Sequence, residues 1–448
     1  MYKLTLIIRY LLRRRITHFA VLAVALCVFI VVVVMTIMTG LVEDFKQKNH
    51  QFVGDCVVGT DSLVGFPYYE EFMETLRGTD FVQAVSPVVK SYGLLSVRGD
   101  SMRRGVEIMG IDPVLHGETT SFAKTLHYRA NQPDRAFEPI YDPNALGCVL
   151  GIDLALLRNT QGQYAYDAQP PQVAITLTCF PLTARGAPAK VGAGLVESQH
   201  FYYSDHAHSG IAHVDGSQVY IPLEQAQKLC MAGTLKRVNA IQIKFRSGVS
   251  LSQGRARVAQ LWQEFKRAKA DAQDSFLLDA VLVQDWKEYR RAYIAPMEKE
   301  QVLLSLMFIL VGVTTVFIVF VVFYMIVSHK RKDVGVLKSV GTSNVSIMAL
   351  FAGFAFVIGC LGSGIGVVAA WLFLSRINWI EGLLFERFGF QLWDRSIYAI
   401  GDIPNHVEFH VLAIIIGCAI LSCLVGALFP AFSAARLRPV ETLHTGPV

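Results

Sequence analysis

The chain has 448 residues, of which 53% are hydrophobic and 17% charged, and its mean hydropathy is +0.40. This composition is too apolar for an ordinary soluble protein and indicates an integral membrane protein. The net charge of +5 comes from basic residues beside the apolar stretches, so it gives no reason to expect a nucleic-acid partner.

Four apolar stretches are long enough to cross a membrane. A helix needs about 20 apolar residues to span a hydrocarbon core of about 30 Å, in which every backbone polar group must be bonded internally. We predict spans at residues 19–41, 302–328, 347–376 and 411–432. The first stretch is longer than a signal-peptide core and lacks a cleavage site before Glu43, so we expect it to remain as an anchor.

The placement of Lys and Arg predicts the orientation. Residues 1–18 carry basic residues and no acid, whereas the segment after the third span is rich in Asp and Glu. Because basic loops stay in the cytoplasm, we expect both termini there, and thus residues 1–18, 329–346 and 433–448. Residues 42–301 and 377–410 then lie outside, as in a multi-pass protein of the inner membrane. The segment 1–18 fits either an interfacial helix on anionic lipid or a plain basic anchor.

Residues 42–301 form the largest polar segment, which is long enough to bury its own core. Strand-like patterns alternate there with helical ones, so we predict an α+β domain carried on two helical stalks. The fold class is therefore a membrane protein with four transmembrane helices and a large extracytoplasmic α+β domain between the first two. We predict strands at 84–97, 106–111, 172–178, 218–221 and 238–245, and helices at 68–77, 223–231 and 251–269.

The usual catalytic and cofactor motifs are missing from the sequence. It contains no GxxxxGK[ST], no HExxH and no nucleophile elbow, and the apolar cores of the spans carry no Asp, Glu, Lys or Arg. These features argue against a nucleotide site, an intramembrane protease and an ion-coupled carrier. We expect no cofactor and no catalytic residue. Gly362 and Gly366, four residues apart in an apolar run, favour close helix packing over a dinucleotide loop.

Two groups of residues in the outer segment allow more than one interpretation. His200, Asp205, His206, His208 and His213 lie close together in sequence, which fits either a metal site or a solvated His-rich loop. The outer cysteines form no CxxC pair, and their spacing does not specify a disulfide. They are Cys56, Cys148, Cys179 and Cys230.

A short basic stretch separates the second and third spans. It reads HKRKDVGVLKSVGTSNVSI from His329 to Ile347, and its apolar residues Val334, Leu337 and Val340 are predicted to share one side of a helix. We interpret residues 329–346 as a cytoplasmic docking helix, because a simple positive-inside stop explains the charges but not the following VGVLKSVGTS. The predicted docking residues are Lys330, Arg331, Lys332, Asp333, Val334, Gly335, Leu337, Lys338, Gly341, Thr342 and Ser343.

This stretch, continued as KRKDVGVLKSVGTSNVSIMALF, resembles the coupling helix of FtsX/MacB-like (type VII) ABC transporter permeases. The tail PAFSAARLRPVETLH at residues 430–444 is similar to the terminal signature of that family. VEIMGIDP, CVLGIDLALLRNTQGQ and DGSQVYIPLEQAQKL resemble outer-domain segments of the lipoprotein-releasing LolC/LolE type. Residues 129–144 and 199–214 depart from that pattern.

The resemblance implies a non-catalytic permease subunit that works with a separate ABC ATPase of the LolD/MacB type. It implies mechanotransmission, in which ATP hydrolysis moves the outer domain, and the release of lipoproteins from the inner membrane. An FtsX-like regulator of an envelope hydrolase and MacB-like efflux of amphiphiles are the alternatives. The expected partners are a second copy or a paralogous permease, membrane lipids, lipoprotein cargo and a periplasmic acceptor.

Overall fold

The computed structural model describes residues 15–98, 103–130, 132–158, 164–190, 194–329, 334, 336, 338–388 and 409–436. These residues belong to two compact units. The membrane unit lies within Met1–Glu43, Pro296–Trp393 and Asp402–Val448, and the sheet unit within Asp44–Ala295 and Asp394–Gly401.

Long apolar helices build the membrane unit. Four helices are long and apolar enough to cross a membrane, over Thr17–Val53, Arg291–Ile326, Asn344–Ser375 and Phe409–Ser433. The fold class predicted from the sequence is therefore confirmed, with four spans and a large domain between the first and second. The helices to which these spans belong are α1 (Arg15–Val53), α10 (Arg291–His329), α11 (Asn344–Ser375) and α13 (Phe409–Arg436), and a shorter α12 covers Ile377–Phe388.

The sheet unit carries shorter helices and nine strands among the described residues. Its helices are α2 (Tyr69–Arg77), α3 (Pro113–Thr119), α4 (Phe122–Thr125), α5 (Ile152–Ala155), α6 (Ala212–Ser217), α7 (Leu223–Cys230), α8 (Leu251–Ala268) and α9 (Trp286–Tyr289). Its strands are β1 (Cys56–Gly59), β2 (Val82–Val97), β3 (Arg103–Ile111), β4 (Gly147–Gly151), β5 (Ala174–Cys179), β6 (Glu197–Ala207), β7 (Gln218–Pro222), β8 (Ala240–Phe245) and β9 (Leu282–Asp285).

The long strand β2 organises the sheet. Its first half pairs with β8 and its second half with β5, while its other edge pairs with β3. The strand order is β3-β7-β4-β6-β5-β2-β8-β1-β9, and the additional β2–β3 pairing closes six of these strands into a ring. Closure removes the exposed edges from that part of the sheet.

Both faces of the sheet are buried. In β1, Cys56 and Val58 belong to one apolar cluster and Val57 to another. In β7, Val219 joins the first cluster and Tyr220 the second. Because successive side chains of a strand point to opposite faces, the two clusters cover opposite sides of the sheet. Helices α2, α7 and α8 contribute Phe72, Ala226 and Trp262 to the first.

Two of the motifs noted in the sequence pack against each other. In GIDP, the Asp112 side chain caps α3 by accepting hydrogen bonds from the backbone N–H groups of Val114 and Leu115 at 3.1 and 3.0 Å. Pro113 occupies the first turn, where no amide hydrogen is needed. A Cβ added at Gly110 would collide with Ala226 of the PLEQAQ segment. These two motifs therefore contain the residues at which β3 and α7 are in contact.

Of the two interpretations of the His-rich stretch, the loop is wrong for residues 199–207, which belong to strand β6. The strand pairs with β4 on one side and β5 on the other. Ser204, Asp205 and His206, in the second half of the strand, are buried. The Asp205 carboxylate accepts hydrogen bonds from the backbone N–H groups of His127, Tyr128 and Arg129. The same residue therefore anchors the neighbouring segment.

Candidate functional site: the loop between the second and third spans

The loop between α10 and α11 ends in a tight turn. The backbone N–H of Val340 donates to the Val336 carbonyl at 3.2 Å, and the backbone N–H of Gly341 donates to the Lys338 carbonyl at 3.0 Å. Gly341 has a φ of +92°, a conformation that a residue with a Cβ adopts only with strain. Glycine at this position therefore sets the direction in which the chain enters α11.

Ser343 fixes the start of the third span. It has an extended backbone, and its Oγ accepts a hydrogen bond from the backbone N–H of Ser346 at 3.3 Å. This is the geometry of a helix N-cap, which satisfies an otherwise unpaired donor in the first turn. The sequence Gly-Thr-Ser-Asn thus folds as a turn followed by a cap.

Apolar side chains are exposed around this turn. Val336 is 52% exposed, Val340 81% and Val345 75%. We call these three valines, together with Ser339 and Gly341, the docking surface. Exposed apolar patches are typical of contacts with another protein or with a membrane.

The predicted docking residues divide into two groups. Val334, Lys338, Gly341, Thr342 and Ser343 are described, and Val334 is only 3% exposed because it packs into the core of the membrane unit. The prediction that Val334 and Val340 share one face is therefore wrong, since Val340 lies in the turn. The others lie outside the described residues: Lys330, Arg331, Lys332, Asp333, Gly335 and Leu337.

Two glycines of α11, Gly362 and Gly366, lie against the first span. A Cβ added at Gly362 would lie 2.8 Å from the Cβ of Val24, and one at Gly366 would lie 2.6 Å from the Ala25 carbonyl oxygen. Both distances are shorter than carbon atoms tolerate. Gly426 of α13 is close to α10 in the same way, with 2.6 Å to the Val316 carbonyl oxygen. Sequence reasoning missed Gly426, although Ser422 lies four residues before it and small residues at this spacing are typical of close helix packing.

An apolar cavity of about 470 Å³ lies between α1, α10 and α13. Its volume falls in the range of about 300–1,000 Å³ that is typical of ligand sites. The polar groups in its wall are small, and the Thr315 hydroxyl is already bonded to the Val311 carbonyl at 2.8 Å. The wall includes Cys27, Met35, Phe308, Gly312, Ile415 and Cys418.

Comparison with known proteins identifies the family. A family model described as "MacB-like periplasmic core domain" matches residues 17–261, which is more than half of the chain, and one described as "FtsX-like permease C-terminal" matches residues 305–439. The chain is an ABC transporter permease of the FtsX/MacB family. The predicted resemblance is thereby confirmed.

Relatives match the permease to different extents. The lipoprotein-releasing system transmembrane protein LolC of Neisseria meningitidis is 23% identical over 431 residues, covering 96% of this chain and 94% of that protein. LolE of Haemophilus influenzae is 25% identical over 122 residues, covering 27% and 29%. The solved periplasmic region of MacB from Actinobacillus actinomycetemcomitans has 11% identity and a TM-score of 0.32, covering 54% of this chain and 94% of that one. Because this score is low, the family assignment rests on the sequence matches.

The permease is a multi-pass protein of the inner membrane and a non-catalytic subunit of its transporter class. Among the described residues, no group of three His, Cys, Asp or Glu side chains is arranged to hold a metal ion. His206 is instead buried, with its Nδ1 2.6 Å from the Tyr203 hydroxyl and its ring stacked on His127. Burial lowers the pKa of His206 to about 4, which keeps its ring neutral at pH 7.

A buried carboxylate forms the centre of a polar cluster in the sheet unit. Glu107 of β3 lies 2.8 Å from the Lys90 ammonium and accepts a hydrogen bond from the Gln218 amide at 3.0 Å, while His213 lies 3.6 Å away. Burial by itself would raise the pKa of Glu107, but the His213, Lys90 and Gln218 contacts outweigh it and lower the pKa to about 2. His213 also lies 3.1 Å from the Tyr293 hydroxyl. The cluster therefore joins the sheet to the first turn of α10.

This cluster predicts a pH dependence of stability. Because the folded pKa of Glu107 lies below the usual value of 4.5, its stabilisation is present above pH 4.5 and is lost as the pH falls toward 2. The shift corresponds to roughly 3 kcal/mol. We expect Glu107→Gln to lower the free energy of unfolding at pH 7 by about 2–3 kcal/mol and to flatten the acid limb of the stability curve.

Chemical unfolding of the full chain in detergent between pH 7 and pH 2 measures this effect. Glu74→Gln, at an exposed position of α2, is the matched control and should change stability by less than about 0.5 kcal/mol. If the free energies of unfolding of the wild type and Glu107→Gln changed in parallel between pH 7 and pH 2, Glu107 would not contribute to the pH dependence of stability.

Proposed function

We propose that the permease works with a separate ABC ATPase and releases lipoproteins from the inner membrane. One observation carries the proposal: a chain similar to a LolC protein over 96% of its length presents exposed valines on the turn between its second and third spans. Since the sequence contains no P-loop, ATP must be hydrolysed by a partner. Docking of that partner on the loop transmits motion to the spans and to the sheet unit.

The proposed topology has both termini in the cytoplasm. The basic residues of segments 1–18 and 329–346 support it, because Lys and Arg are retained on the cytoplasmic side. The docking surface then faces the cytoplasm, where ATP and the ATPase are found. The sheet unit lies on the opposite side of the membrane, where lipoprotein cargo and a periplasmic acceptor are available.

The apolar cavity supports a lipid-linked cargo. Its wall offers hydrocarbon and a few small polar groups, which suits an acyl chain and not a hydrated solute. The exposed apolar side chains of α10, such as Leu306 at 56% and Phe317 at 66%, face either lipid or a second permease. We propose a dimer with another copy or with a paralogous permease.

Replacing Gly312 with phenylalanine tests the cavity. Gly312 lines the cavity, and a Cβ at this position would meet no atom within 4 Å, so the new ring can enter the space without a clash. We expect about a tenfold loss of lipoprotein release, equivalent to about 1.4 kcal/mol of lost cargo binding. Gly364→Phe is the matched control, because Gly364 also has open space but does not line the cavity.

The measurement is the distribution of lipoproteins between inner and outer membranes in cells depleted of the wild-type chain and supplied with each variant. Depletion alone should leave lipoproteins in the inner membrane, and wild type and Gly364→Phe should restore their sorting. Normal sorting after depletion, together with chained cells, would replace lipoprotein release by regulation of an envelope hydrolase. Normal sorting with Gly312→Phe would exclude the cavity as the cargo site.

A further inference from the structure

Two cysteines distant in sequence lie side by side in the sheet unit. Cys179 is the last residue of β5 and Cys230 the last residue of α7. Their exposed fractions are 1% and 2%, and both belong to the same apolar cluster. Leu182, three residues after Cys179, pairs with Met231, the residue after Cys230, and each of the two thiols shifts the pKa of the other.

Backbone hydrogen bonds join the two segments that carry these cysteines. The segment after Cys179 runs beside the end of α7, where the N–H of Leu182 donates to the Cys230 carbonyl at 3.0 Å and that of Ala232 donates to the Leu182 carbonyl at 2.9 Å. The buried guanidinium of Arg237 stabilises this contact, because its Nη2 donates hydrogen bonds to the carbonyls of Leu182 and Ala232, one from each segment. These hydrogen bonds therefore keep the segment after Cys179 beside the end of α7.

The surroundings of Cys179 favour the thiolate form of its side chain. Its sulfur lies 3.3 Å from the Ser91 hydroxyl. The hydrogen bond from Cys230 lowers the pKa of Cys179 to about 7 against the opposing effect of burial, and Ser91 acts in the same direction. A thiolate is the nucleophile in disulfide chemistry. By contrast, burial raises the pKa of Cys56 to about 12, and it also raises that of Cys148.

We propose that Cys179 and Cys230 form a disulfide bond in the mature permease. The inference rests on the proposed function in one respect, since it requires the sheet unit to lie outside the cytoplasm, where disulfides persist. While the sheet unit is folding and both thiols are still accessible, the Cys179 thiolate attacks one sulfur of the disulfide in a thiol oxidoreductase, forming a mixed disulfide and releasing one thiolate. Cys230 then loses its proton and attacks the Cys179 sulfur, which releases the second thiolate. The two cysteines are oxidised, and the oxidoreductase disulfide is reduced to two thiols.

The bond would fasten the end of β5 to the end of α7. It would close a long loop of chain that includes β6 and β7, and cross-links that close long loops restrict the unfolded chain most strongly. The segment between Cys179 and Leu182 would then be held at both ends. The sheet unit would gain stability in the compartment in which it works.

Mass spectrometry of the full chain tests the proposal. Membranes are quenched in acid, free thiols are alkylated, and peptides are compared with and without prior reduction. We expect a peptide pair joining Cys179 to Cys230 that disappears on reduction, with Cys56 and Cys148 alkylated throughout. A bond between any other pair, or alkylation of both Cys179 and Cys230 without reduction, would overturn the proposal.

A second measurement separates this result from the topology. Asp271 is exposed in the sheet unit, so Asp271→Cys should react with a membrane-impermeant maleimide in intact spheroplasts. Labelling of this variant together with free thiols at Cys179 and Cys230 refutes the disulfide alone. Absence of labelling refutes the topology and with it the disulfide.

Thermal unfolding provides a third readout. Reductant should lower the Tm of the wild type and of Cys148→Ser, whereas it should leave the Tm of Cys179→Ser and of Cys230→Ser unchanged. Equal sensitivity to reductant in Cys179→Ser and the wild type would contradict the bond.

Discussion

Gly341→Val is expected to separate ATP hydrolysis from lipoprotein release while the protein still inserts into the membrane. A Cβ at Gly341 would meet no atom within 4 Å, so the substitution acts only through the backbone, which has a φ of +92°. A β-branched residue in this conformation costs about 1–3 kcal/mol, equivalent to about tenfold or more in docking affinity. The turn would relax, and Val336 and Val340 would lose their arrangement.

ATPase activity and release, measured together in reconstituted vesicles, test this prediction. Gly341→Asn should have a smaller effect, because asparagine tolerates the left-handed region better than valine. Gly382→Val is the control, since Gly382 lies in helix α12 with open space around it. Full coupled activity in Gly341→Val would show that the turn has no role in docking.

Gly366→Leu is expected to destabilise the membrane unit. The new Cβ would lie 2.6 Å from the Ala25 carbonyl oxygen and 2.9 Å from the Val28 Cβ, so α1 and α11 must move apart. Overpacking of this kind costs about 1–3 kcal/mol, and leucine brings further atoms into the same space. We expect a lower Tm in detergent and less cross-linking between cysteines placed on α1 and α11.

Gly364→Leu is the matched control for this prediction. Gly364 lies two residues away on the same helix, and a Cβ there would meet nothing within 4 Å. We expect its Tm to stay close to that of the wild type. Equal Tm values for Gly366→Leu and Gly364→Leu would mean that the close approach of α1 and α11 does not stabilise the protein.

The spans and most strands could be predicted because local patterns determine them. Four long apolar runs identify the spans, since a helix of this length satisfies its backbone polar groups within the segment itself. Residues 238–245 were predicted as a strand, and the structure has β8 at Ala240–Phe245. Helix α8 begins at Leu251, as predicted, because Ser250 caps it by accepting from the Gln253 N–H.

Strands stabilised by buried polar groups could not be predicted in this way. Strand β6 reads ESQHFYYSDHA, and its composition is typical of a solvated loop. In its buried half, the Ser204 hydroxyl lies within hydrogen-bond distance of the carbonyl oxygens of Ala136 and Cys148, at 2.7 and 2.8 Å. Those partners lie far away in sequence. The hydrogen bonds that make the polar residues tolerable inside the protein are therefore invisible to a local pattern.

The functional site shows the same division. The turn at Gly341 and the cap at Ser343 have local signatures in the sequence, whereas the docking role predicted for both residues stays a prediction. Gly362 and Gly366 were predicted from their spacing, whereas Gly426 was missed although Ser422 lies four residues before it. The contact of Gly426 with Val316 of α10 could not be read from a local pattern. The exposure of Val340 was also missed, since helical periodicity assigned it to the same side as Val334.

The docking surface is tested most directly by a photo-crosslinking amino acid placed at Val340 in living cells. Val340 is 81% exposed on the turn, and Val368 of α11, at 57% exposed, provides a comparison within a span. We expect the Val340 probe to form a covalent adduct with an ABC ATPase and the Val368 probe to form none. An adduct with the ATPase from neither position, or equally from both, would contradict docking of the ATPase at this loop.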